Sequence, residues 1–133
     1  MKSTIIITML ILLSSFVYAT YIHSEEHYGV RWKFYDDSIP KDVCLEHFKS
    51  IPSNYTEGIN YIMVWSSPKA DRLGAFFPVI NMIHLYNNCS EYHTLAHEVA
   101  HYHDFKDGFK YGNEASHDEE FWQINDEIMD ATR

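Results

Sequence analysis

Between Tyr92 and Phe105, in the stretch YHTLAHEVAHYHDF, the chain sets four of its nine histidines around one glutamate. A neutral imidazole nitrogen is a metal donor, and a carboxylate can take and return a proton. His97 and His101 are four residues apart. On a helix their rings leave the same face one turn apart, the spacing at which two imidazoles reach one tetrahedral zinc. Glu98 follows the first of them, so its carboxylate can stand beside that metal without binding it and take a proton from an activated water. H-E-x-x-H specifies only three of five positions and recurs by chance, so its weight depends on its surroundings.

A catalytic zinc takes three protein ligands and keeps one position open, so a third donor must lie elsewhere. The downstream stretch NEASHDEEFW offers His117 as first candidate and Glu114 as its rival. The bland alternative for His117 is a surface histidine at the start of a helix. His93, one turn before His97, and His103, two residues after His101, read as neighbours rather than ligands. Asp104 is placed to accept a hydrogen bond from a ligand imidazole and fix its tautomer. Tyr102 and Tyr111 could assist an oxyanion, but in a chain with ten tyrosines packing is the plainer role.

HEVAHYHDF, a short loop and then SHDEEFW resemble the SprT-like and YgjP-like (WLM-related) zinc metallopeptidases. These are small zincins with H-E-x-x-H on one helix and a third histidine in an H-x-x-F or H-x-x-x-F element opening the next. The likeness spans Tyr92 to Ile124, about a quarter of the chain. It implies His97, His101 and His117 as ligands of Zn2+, Glu98 as the catalytic acid/base, and hydrolysis of peptide bonds. Where SprT-like proteins commonly carry Gly on both sides of the third histidine, this chain has Ser116 and Asp118. NEASHD is also similar to the Asn-Glu-Ala segment in which thermolysin-like gluzincins place a glutamate ligand, which keeps Glu114 open.

The elements that must position these residues can be read from periodicity and turn signals. YGVRWKFYDD, Tyr28 to Asp37, alternates as a strand, and SIPKDVCLEHFKSIP reads as a short helix capped by Ser38, with Val43, Phe48 and Ile51 on its buried side. Ile59 to Ser67 is a second strand. Ala75 to Tyr86 is a third, and Pro78 within it points to a sheet edge. The motif helix follows, with Asn88 or Ser90 as cap and Leu95, Val99 and Tyr102 on its apolar side; Asp104 to Asn113 is a loop. A last helix from about Ser116 to Asp130 buries Phe121, Ile124 and Ile128. The order predicts a small α+β domain, zincin-like by the resemblance, with a short mixed or antiparallel sheet whose edge strand packs on the H-E-x-x-H helix beside a C-terminal helix.

The 133 residues allow one domain, and 46% hydrophobic with 16% aromatic content allows a real core. Residues 1–19, MKSTIIITMLILLSSFVYA, read as a cleavable signal peptide, with Lys2, an apolar run from Ile5 to Val17, and Val17 and Ala19 before the cut. That run of 13 residues is short of the roughly 20 needed to span a bilayer. The expectation is an exported domain, residues 20–133, secreted or periplasmic, without stable membrane insertion after cleavage. Losing Lys2 moves the net charge from −9 to −10, which argues against nucleic-acid and anionic-lipid partners. Export would permit a disulfide between Cys44 and Cys89.

The leading expectation is thus an exported, monomeric zinc metallopeptidase acting on peptide or protein substrates. The alternative from another class is a non-catalytic secreted zinc-binding module or interaction domain, motivated by nine histidines and nineteen acids.

Overall fold

The computed structural model describes residues 2–22, 24–66, 72–87, 89, 91–106, 108 and 116–132. Helix α1, Lys2–Ile22, is followed by strands β1, Glu25–His27, and β2, Val30–Phe34. Helices α2, Lys41–Ser50, and α3, Ser53–Thr56, lead to β3, Tyr61–Val64. Strand β4, Gly74–Phe77, passes through a 3-10 turn, Pro78–Ile80, into β5, Met82–Leu85, and then come helices α4, Tyr92–Phe105, and α5, Glu119–Asp130. The five strands form one mixed sheet in the order β1-β2-β3-β5-β4, with β2, β3 and β5 parallel and the outer strands β1 and β4 antiparallel to their neighbours. This is the α+β domain expected.

Several details differ from the sequence reading. Ala75 to Tyr86 is not one strand but a hairpin. Pro78, which has no N–H for a ladder, starts the 3-10 turn, and Asn81 in the left-handed region (φ 49°) completes the reversal. Of this hairpin, only β4 is an edge strand, while β5 lies inside the sheet. Ser38 does not cap α2: its N–H bonds the Asp36 carboxylate at 2.8 Å, and Pro40 holds the cap position. Val43 faces solvent, and Cys44 takes the buried place beside Phe48. Asn88 and Ser90 lie outside the described residues; Glu91 stands at the start of α4 without a side-chain capping bond. The final helix begins at Glu119 rather than near Ser116, capped by Asp118, whose Oδ1 accepts from the Phe121 N–H at 3.0 Å.

The core follows from strand alternation. Val30 and Trp32 from β2, Ile62 and Val64 from β3, and Ile83 and Leu85 from β5 point to one face, where Phe48, Leu95, Val99, Phe121 and Ile128 close over them. Met63 is buried on the other face, which carries the Tyr35 and Trp65 rings stacked at 3.7 Å. A disulfide joins Cys44 of α2 to Cys89, ahead of α4. By the chain-entropy argument, closing a loop of that length stabilises by about 4 kcal/mol. Among the described residues no helix is long and apolar enough to cross a membrane.

Candidate metal centre

Helix α4 buries Leu95, Ala96, Val99 and Ala100 against the core, and this orientation turns His97 and His101 to its opposite side. The third imidazole comes from the residue just before the Asp118 cap of α5. His97, His101 and His117 bring their Nε2 atoms together at 3.2, 3.2 and 3.1 Å. Phe121 is the floor that fixes them: its fully buried ring lies 4.3 to 5.0 Å from all three imidazoles and stacks on that of His101. Burying such a ring contributes about 2–3 kcal/mol, so the packing that joins α5 to α4 also sets the imidazole geometry.

The donor set fits a metal ion. Imidazoles 2.0–2.1 Å from a tetrahedral zinc stand about 3.3 Å apart, close to the separations found. Burial first, and neighbouring imidazoles second, hold His97 down to about 4 and His101 down to about 3, so both rings are neutral at ordinary pH. Ser116 Oγ stands 3.4 Å from His117 Nδ1. A proton on that nitrogen leaves the His117 Nε2 lone pair facing the other two. Three lone pairs meeting at one point cannot all be satisfied by one another and call for a cation. Among the described residues, these three form the one group of metal-ligating side chains close enough to hold an ion.

Glu98 lies beside the cluster without belonging to it. It is 6% exposed, and burial pushes its carboxyl up to about 8, against the opposing pull of Arg72. A cleft of about 480 Å³ opens over the cluster, lined by the three histidines, Glu98, and Gly74 and Phe76 of the edge strand. Asp104 is buried and lines the same cleft. His93 is held on the surface by Glu91 at 2.8 Å, and His103 packs edge-on to Tyr55 at 5.0 Å, so neither joins the three. Tyr102 donates to the Glu57 carbonyl, a packing role. Glu114 and Tyr111 lie outside the described residues. Arg72 and Gly74 were missed in the sequence, where DRLGAFF reads only as the end of a loop and the start of a strand.

Fold and site together define a small α+β domain with three convergent imidazoles beside a buried carboxyl. No protein-family profile, curated protein or solved structure matches this chain. The function must be argued from the site.

Proposed function

We propose that the protein is an exported zinc metallopeptidase of zincin-like, SprT-like or YgjP-like character, with His97, His101 and His117 as zinc ligands and Glu98 as general base. The observation that carries the reading is the convergence of three Nε2 atoms within 3.2 Å of one another next to a buried carboxyl that is not one of them. A zinc ion there would act as a Lewis acid, making a water acidic near neutral pH and polarising a substrate carbonyl.

Glu98 takes the proton of the attacking water as the new carbon–oxygen bond forms, and returns it to the amine nitrogen as the carbon–nitrogen bond breaks. Its buried carboxyl favours the neutral form in isolation, so it serves as a base when positive charge stands beside it. The outer side of β4, the end strand of the sheet among the described residues, with Ala75 and Phe76 lining the cleft, offers backbone groups to which an extended peptide can add as a further strand. Export is part of the proposal: the N-terminal residues 1–19 have signal-peptide character, and the Cys44–Cys89 disulfide suits an oxidising compartment. The scavenging alternative calls for several weak metal sites, whereas one three-histidine group stands out among the described residues.

The deciding experiment compares wild type with Glu98→Gln for bound metal and for hydrolysis of an unstructured protein. We expect one zinc per chain in both and hydrolysis only in wild type. Activity undiminished in Glu98→Gln would remove the mechanism, and several metals per chain would favour the scavenger.

A further inference from the structure

Gly74 opens β4 opposite Leu85 of β5. Its backbone does not demand glycine, since among the described residues the glycines with positive φ are Gly29, Gly58 and Gly108. Space does. A methyl group on Gly74 would stand 2.8 Å from Glu98 Oε1, 2.9 Å from Glu98 Cγ and 3.1 Å from the His84 carbonyl oxygen. Packed atoms do not approach that closely, and because Cγ lies near the root of the side chain, turning the carboxylate alone does not relieve the contact: the Glu98 side chain as a whole must shift.

We propose that Gly74 is a positioning residue for Glu98: the absent side chain at this edge-strand position is what gives the carboxyl its place at the wall of the cleft. Two elements far apart in sequence are fitted to each other here. The β4 backbone comes up against the α4 side chain that follows His97, and any β-carbon on it would displace that side chain from its place in the cleft wall. The consequence for hydrolysis rests on the peptidase reading above; the steric fit does not.

The test is a double-mutant cycle on the metal-free protein in chelator, comparing wild type, Gly74→Ala, Glu98→Ala and the double variant by urea unfolding. Gly74→Ala should lower the unfolding midpoint clearly in the wild-type background and little in the Glu98→Ala background, where only the His84 carbonyl contact remains. An equal drop in both backgrounds overturns the proposal. If Gly74→Ala alone does not fold, a folded double variant supports the fit and an unfolded one overturns it. In the metal-loaded protein, Gly74→Ala should keep one metal per chain and its KM but lose about 100-fold in kcat, the scale of a misplacement of about 1 Å. A wild-type kcat would overturn the positioning role. A wild type without any hydrolysis would sink the peptidase reading and the catalytic consequence with it, while the stability cycle would still decide the steric fit.

Discussion

His117 lies 16 positions beyond His101, yet the two Nε2 atoms are 3.1 Å apart, so this side chain turns a helical pair of donors into a three-sided cradle. Removing a ligand should cost more than removing a group that merely orients one, and orienting groups are worth about 10–100-fold in affinity. His117→Ala is therefore expected to weaken zinc binding by at least about 100-fold, with His103→Ala and His93→Ala near wild type. Competition against a chromophoric chelator measures this. Trp122, 6.0 Å from the His97 and His117 rings, adds a fluorescence signal at the site itself. Unchanged affinity in His117→Ala would turn attention to Glu114. At this scale the motif was legible because His97, Glu98 and His101 are fixed by helical spacing alone. Gly74 was not, because its meaning lies in a side chain 24 positions later that only the folded sheet brings near.

Helices α4 and α5 meet through Phe121, whose ring touches all three candidate ligands, so loss of this residue should be felt twice. Phe121→Ala is expected to destabilise the metal-free domain by about 3–5 kcal/mol, and to weaken zinc binding because the imidazoles lose their common floor. Phe121→Leu, which keeps most of the volume, should retain more of both. Urea unfolding and metal titration of the two variants check this, and full zinc affinity in a folded Phe121→Ala would show that the ring does not hold the imidazoles. The long helices were legible because Leu95, Val99 and Tyr102, and then Phe121, Ile124 and Ile128, recur at helical spacing. The β4–β5 hairpin was hidden because its turn, Pro78 to Asn81, includes Val79 and Ile80, which read as strand although Val79 is 96% exposed. Strand β1 and helix α3 span three and four residues, too few for any period to register.

For the whole molecule, the α+β class was legible from the order of elements, whereas the parallel pairing of β2, β3 and β5 was not, since alternation along a strand carries no information about its neighbours. What the fold adds is a site whose ionisable groups are buried against their preferred charge state, which makes stability depend on pH. In the metal-free protein His97 and His101 are depressed from 6.5 to about 4 and about 3, while Glu98 is raised from 4.5 to about 8. Below pH 6.5 the unfolded chain takes up protons that the two folded imidazoles refuse, so stability falls as pH falls through that window. Burial lowers His47 as well, and it acts in the same direction. Between 4.5 and 8 the folded Glu98 keeps a proton that the unfolded chain has released, so its contribution falls as pH rises. Two imidazoles outweigh one carboxyl below 6.5 and the carboxyl acts alone above it, which puts the maximum of the site's contribution near pH 6.5. Urea midpoints in chelator between pH 5 and about 8.5 should therefore pass through a maximum. In Glu98→Gln the alkaline decline attributable to this carboxyl should disappear while the acid decline remains. Zinc should flatten the alkaline decline in wild type, because a dication beside Glu98 favours its ionised form. An alkaline decline of equal size in Glu98→Gln would place its cause outside the site.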